Sequence, residues 1–196
     1  MFRAINLAFF LMLSITLSSQ VKGQNQNRGE EESHGFIPDS TINNCIKLWN
    51  EVSVVRNCGD LMGSLDTDAD FPDVFFCGAE GTQYLRFIFH PGSCNNQFAE
   101  FEVGYSSKKY PMMKCLEKGI VTESGIGLGI NTSELKKIKG VPDSIDKEGS
   151  MQIYHYLIED TDRDPFLKKY NAYMYHADYY FNKGVLVRFR FGFVYL

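Results

Sequence analysis

Between Phe98 and Tyr105 the chain alternates. Ala99, Phe101, Val103 and Tyr105 fall on one side, Glu100 and Glu102 on the other. Period-two alternation of this kind is a half-buried strand, and such a strand must find a sheet to join. Shorter runs of the same character surround it. Phe71 to Cys77 and Tyr84 to Phe89 come before, joined by a Gly-Ala-Glu-Gly turn, and His90-Pro91-Gly92 breaks the chain ahead of Phe98. Met151 to Ile158, Tyr170 to Phe181 and Val185 to Leu196 come after, the last two closed by Asn182-Lys183-Gly184 as a tight hairpin. The 16 Phe and 11 Tyr suit this reading, because such rings favour strands and carry large buried areas.

Helical signals are fewer. Ser40 is placed to cap a short helix whose apolar residues Ile42, Cys45, Ile46 and Trp49 lie three and four apart. A loop follows to about Asp70. Asn131-Thr132-Ser133-Glu134 reads as a capping box ahead of Leu135 and Ile138, with Gly140 and Pro142 ending the helix. A shift of about 90 residues lays Cys45 and Leu48 on Leu135 and Ile138, as a repeated supersecondary unit would. The expectation is an α+β fold. Two tandem helix-plus-three-strand units, residues 37–118 and 119–196, form an antiparallel sheet with helices on one face.

The first 23 residues read as a cleavable secretory signal: Arg3, an apolar run from Leu7 to Leu17, then Val21 and Gly23 at the small positions before the cut. That run is about half the length of a membrane-spanning helix. Residues 24–36 are polar and read as a flexible leader. The expected location is periplasmic or secreted. No Cys lies near the cut, which argues against a lipid anchor. The formal charge of −4 and the lack of any Lys/Arg run longer than two argue against a nucleic-acid partner.

Five cysteines, Cys45, Cys58, Cys77, Cys94 and Cys115, allow at most two bridges in an oxidising compartment. No C-x-x-C pair points to zinc or to thioredoxin-like chemistry. Gly125-Ile126-Gly127-Leu128-Gly129 lacks the spacing of a dinucleotide loop and has no following Lys-Ser/Thr. Asp66, Asp68 and Asp70, and again Asp160, Asp162 and Asp164, open like calcium loops. Phe71 and Pro165 then stand where Gly is needed, and Cys77 and Asn171 where a bidentate Glu is needed. His34, His90, His155 and His176 assemble no nucleophile–base–orienter set, although a Cys94–His90 pair can be drawn. Asn131-Thr132-Ser133 also matches a glycosylation sequon, but capping explains the same residues. No cofactor, metal or catalytic residue is expected.

Leu128 to Ser144 (LGINTSELKKIKGVPDS) resembles the opening of the small outer-membrane-assembly lipoprotein family of the SmpA/OmlA type. It also resembles the tandem modules of the β-lactamase-inhibitor-protein-like fold. The shared features are Gly129, the cap Thr132-Ser133, Glu134, Leu135, Ile138, Gly140 and Pro142. Tyr179 to Val187 is similar to the terminal hairpin of such modules. The resemblance covers residues 125–196 and the first half only in outline. It implies a fold that binds proteins and carries no catalytic constellation.

The leading expectation is therefore an exported, non-enzymatic protein-interaction module: a binding, inhibitor or assembly factor. Tyr173, Tyr175 and Tyr179 are the candidate contact face, against the competing reading that this aromatic stripe is core. Phe189, Phe191, Phe193 and Tyr195 keep open a small outer-membrane β-barrel. An enzyme with an unrecognised site is the third reading. The strand layout puts Cys77 at a turn and Cys58 near the far strand end, which makes Cys58–Cys94 the best-placed disulfide. Peptide mapping of the non-reduced protein checks it: a Cys58–Cys94 cross-link is expected, and free thiol at both positions contradicts it.

Overall fold

The computed structural model describes residues 35–65, 72–78, 80–89, 95–159 and 164–194. The expected signal and most of the leader, both Asp triplets apart from Asp164, and His34, His90 and Cys94 lie outside these residues.

A seven-stranded antiparallel sheet dominates the α+β fold. Its first meander is β3 (Asp73–Cys77), β4 (Gln83–Phe89) and β5 (Phe98–Tyr105). Its second is β6 (Ser144–Glu148), β7 (Met151–Ile158), β8 (Met174–Asn182) and β9 (Val185–Val194). The order is β3-β4-β5-β9-β8-β7-β6, so the last strands of the two meanders are neighbours. The β8–β9 hairpin closes as expected, with Lys183 and Gly184 both at positive φ and Asn182 opposite Val185.

Several elements depart from the sequence expectation. The helix expected over Ser40–Trp49 is instead a short hairpin, β1 (Thr41–Ile42) with β2 (Ile46–Lys47). Ile42 and Ile46 are directly opposed across it, and Asn43 and Asn44 turn the chain at positive φ. A spacing of four therefore arises from a hairpin with a three-residue loop, Asn43 to Cys45, as readily as from a helical turn. The helix lies just beyond, as α1 (Glu51–Cys58), where Asn50 accepts from the Ser53 N–H at 2.8 Å. β6, whose five residues are all exposed, adds a fourth strand to the second meander. Its only apolar residue is Ile145, so no alternation marks it; Asp146, Lys147 and Glu148 suit a free sheet edge.

α2 (Thr132–Lys139) carries the full capping box: Asn131 accepts from Ser133 and Glu134, and Glu134 returns to the Asn131 N–H at 2.8 Å. A further helix, α3 (Pro165–Tyr170), starts at Asp164 and takes up the beginning of the strand expected from Tyr170. Proline at its first turn and a carboxylate cap are the signals for it.

One face of the sheet is the core. Phe87, Phe101, Tyr175, Tyr179, Phe189, Phe191 and Phe193 are all 0–1 % exposed. Ile42 and Ile46 of the hairpin, Val54 of α1, Leu135 of α2 and Leu167 of α3 close the same cluster. Phe189, Phe191 and Phe193 thus face the interior. Each such side chain contributes roughly 1.5–3 kcal/mol by leaving water.

The N-terminal hairpin is tied down twice. Cys45 bonds to Cys115, with Cα atoms 6.6 Å apart. Asn43 Nδ2 donates to the Cys115 and Gly119 carbonyls, each at 2.7 Å. Among the described residues Cys58 and Cys77 have no disulfide partner, and burial pushes the Cys58 thiol up to about 12. The Cys58–Cys94 pairing falls on a residue outside those described.

Two outcomes follow for stability. Closing a 70-residue loop constrains the unfolded chain. Replacing Cys45 and Cys115 together by Ala should therefore lower the urea unfolding free energy by about 2–4 kcal/mol; an unchanged midpoint contradicts the bridge. Tyr179 is wholly buried and its hydroxyl has no hydrogen-bond partner among the described residues. Tyr179→Phe should be neutral or stabilising by up to about 1–2 kcal/mol, because an unsatisfied buried hydroxyl is removed.

Candidate functional site

The second face of the sheet is a lattice of charges and rings, generated by the same alternation that fills the core. One row of directly opposed residues crosses all seven strands: Phe75, Arg86, Glu102, Arg190, Asp178, His155 and Ser144. Signs alternate along its charged members, so each side chain has an opposite charge beside it. Arg86 bonds Asp73 at 2.6 Å and lies over the Phe75 ring. Tyr110 stacks on Phe75 from the connection after β5, 4.9 Å between centroids.

A second row runs Ile88, Glu100, Gly192, His176 and Leu157. Gly192 is its low point. A Cβ there would lie 2.6 Å from Glu100 Cα, and φ is +155°. With no side chain on β9 at this position, Glu100 of β5 and His176 of β8 meet over it, Oε2 to Nε2 3.1 Å. Arg190 Nε donates to the same Glu100 oxygen. His176 Nδ1 bonds Asp178 at 3.1 Å, and the other oxygen of Asp178 accepts from His155 at 2.7 Å. In a third row the Tyr84 ring crosses Gly104 to reach Glu102 at 2.7 Å, and Arg188 stacks on Tyr180 with its guanidinium carbon 3.8 Å from the ring centre.

The electrostatics follow from this packing. Burial disfavours the His176 imidazolium, but hydrogen bonds and charge from Asp178 and Glu100 outweigh it and raise its pKa to about 9. Burial likewise opposes ionisation of Glu100 and Asp178, yet the His176 bond, with Arg190 on Glu100 and His155 on Asp178, holds both carboxyls below their ordinary range. His176 is therefore a fixed cation at neutral pH and no free base. The second nitrogen of His155 makes no hydrogen bond among the described residues and faces the Asp146 carboxylate at 3.4 Å. Ser144 is the residue opposite His155 in register, but it is Asp146 that this nitrogen faces.

Of the expected contact residues, Tyr175 and Tyr179 are core, both 0 % exposed, and Tyr173 alone is exposed, just before β8. As the chain is folded, those three do not form a surface. The reason is parity: Tyr175 and Tyr179 share a strand face with Ala177, while His176, Asp178 and Tyr180 take the other. The polar face is instead marked by Glu100-x-Glu102 and Arg188-x-Arg190, two complementary pairs at strand spacing, of which the carboxylates are buried beneath their partners. That complementarity was the available signal that β5 and β9 are neighbours.

Hollows among the described residues lie elsewhere. One of about 320 Å³ is bordered by Glu80, Gln83, Glu117 and Lys118, and one of about 620 Å³ by Asn44, Asn50 and Arg56. Neither is lined by His155 or His176. Among the described residues no three His, Cys, Asp or Glu side chains converge as a metal ion requires. Comparison with known proteins gave no match to a family model, a curated protein or a solved structure.

The charge lattice has a pH signature. A histidine raised to about 9 contributes stability that is complete below its unfolded value near 6.5 and is lost as pH rises through 9. Carboxyls lowered on folding contribute above about pH 4 and lose that contribution as pH falls. Relative to His176→Gln, the unmodified chain should lose roughly 2–4 kcal/mol of unfolding free energy between pH 6 and pH 10. Parallel pH profiles for the two proteins contradict this. Gly192→Ala should destabilise at every pH, by roughly 2–4 kcal/mol, because the new methyl has no space.

Proposed function

We propose that the chain is an exported, non-enzymatic protein-binding module whose partner docks on the open face of the sheet. The observation that carries this reading is the row from Phe75 to Ser144 with its flanking Arg–aromatic stacks. The described helices pack through the opposite face, leaving these groups as an outer layer. Arg and Tyr are the residues that concentrate binding energy at protein interfaces, where they combine large contact area with directed polar groups. The interleaved carboxylates make the same face a poor match for a uniformly anionic polymer. They favour a protein surface of mixed charge, where complementarity sets orientation and register.

Export is the reading that best accommodates the Cys45–Cys115 bridge, since disulfides persist in oxidising compartments. Together with the signal-like first 23 residues, it favours a periplasmic or secreted location. The tandem reading belongs to the same proposal. Each meander follows a capped helix, and their last strands meet as two copies related end to end would. An inhibitor or assembly module of the β-lactamase-inhibitor-protein-like kind is what the resemblance over residues 125–196 implies.

Affinity capture from periplasmic or secreted extract tests the face. The unmodified chain and Tyr173→Ala should recover the same partner. Arg188→Glu with Tyr180→Ala should recover it at least about tenfold less, the loss of one interface hot spot. Equal recovery by all three removes the open face from the account.

A further inference from the structure

Residues 36–41 are held in a manner unlike the rest of the fold. Up to Thr41 the segment joins no sheet ladder. The Ser40 carbonyl accepts from the Leu48 N–H at 2.9 Å, and the other backbone contacts come from side chains of the second half of the chain. The Tyr175 phenol accepts from the Asp39 N–H at 3.1 Å and donates to the Asp39 carbonyl at 2.7 Å. Glu123 takes the N–H groups of Ser40 and Thr41 on its two oxygens and both of their hydroxyls at 3.1 and 3.0 Å. Lys139 Nζ donates to the Ile37 carbonyl at 2.6 Å.

Side chains of the segment are read as well. The Asp39 carboxylate pairs with Lys139 at 2.8 Å and accepts from the Ser124 hydroxyl at 3.0 Å. Both charged groups are sealed, Lys139 at 0 % and Asp39 at 1 % side-chain exposure. Phe36 stacks on Tyr156, 4.9 Å between centroids, with Lys139 also over its ring. Ile37, between these anchors, is 66 % exposed. The pattern is anchored side chains at Phe36 and from Asp39 to Thr41, one solvent-facing side chain at Ile37, and main-chain polar groups met by a fixed wall.

That is how an extended peptide is recognised by a receptor: main-chain bonds supply affinity and pockets for alternate side chains supply selectivity. A buried ion pair adds discrimination more than net stability, because desolvation offsets much of its attraction. We propose that Glu123, Ser124, Lys139, Tyr156 and Tyr175 form a peptide-binding cleft, filled in the resting chain by its own residues 36–41. Its partner is an extended segment of another protein with the same chemistry: an aromatic residue, two further residues, an acid, then two hydroxyl residues. The tether at Asn43 and Cys45 keeps the internal segment at high effective concentration, so a partner segment competes with it. This cleft shares no residue with the open-face reading and stands or falls separately from it.

The probe is a fluorescein-labelled peptide of residues 35–42 (GFIPDSTI). It is titrated by anisotropy into the full chain and into the full chain carrying Phe36→Ala and Asp39→Ala, which weaken the internal occupant. The doubly substituted chain should bind the peptide at least about tenfold more tightly than the unmodified chain, and a peptide with Asn for Asp39 should bind it at least about tenfold more weakly. No binding to the folded variant, or equal binding of the Asp and Asn peptides, overturns the proposal. If the variant is unfolded by circular dichroism, native-state hydrogen exchange of the unmodified chain decides. Amides of Asp39, Ser40 and Thr41 should exchange together through an opening of lower free energy than that of the Phe189 and Phe191 amides. Exchange of both sets only through global unfolding makes the segment part of the core and overturns the cleft.

Discussion

The pairing of β5 with β9 is the constraint on which the rest depends. Without it each meander keeps a bare edge and half a core. With it, Phe101 lies opposite Phe191, rings 5.4 Å apart, on the inner side, and Glu102 lies opposite Arg190 on the outer side. One register satisfies both faces at once. A slip by a single residue would carry Arg190 into the core and set Phe191 among the carboxylates, because parity along a strand is strict. The seam is thus specified twice, by apolar burial and by charge, and each specification excludes the same error.

From that seam the polar face follows. Glu100 and Glu102 are 7 % and 9 % exposed, which for lone carboxylates would be strongly unfavourable. They tolerate burial because Arg190, His176, Arg86 and Tyr84 converge on them. Gly192 makes the convergence sterically feasible by letting β5 and β8 touch across the strand between them. The same logic operates at the other end of the core, where Asp39 and Lys139 are both sealed and satisfied by neighbours. Buried polar groups here specify arrangement, while the Phe and Tyr cluster supplies the bulk of the driving force.

The sequence made some of this legible. β5, the β8–β9 hairpin and the capping box of α2 rest on local rules, alternation, turn chemistry and reciprocal caps, and those rules acted unopposed. The first helix was misplaced because Ile42 and Ile46 satisfy a helical spacing and a hairpin pairing equally. β6 carries no hydrophobic period, since an edge strand with no buried residue needs none. Cys45–Cys115 joins residues 70 apart, a distance no local rule spans. For the site, composition points to Tyr175 and Tyr179, yet their parity sets them inward; the pattern of the polar face is in Glu100, Glu102, Arg188 and Arg190, with the two carboxylates themselves covered by their neighbours. Which of two aromatic-bearing faces is covered is decided by helices distant in sequence, and that is tertiary information.

The most direct test is a double-mutant cycle at the seam: Glu100→Gln, Arg190→Gln and the pair together, each unfolded in urea at pH 6. If β5 and β9 are joined through this charge contact, the two substitutions are non-additive, with a coupling of roughly 1–3 kcal/mol. Additivity to within about 0.3 kcal/mol would show that the two residues act independently and would contradict the account.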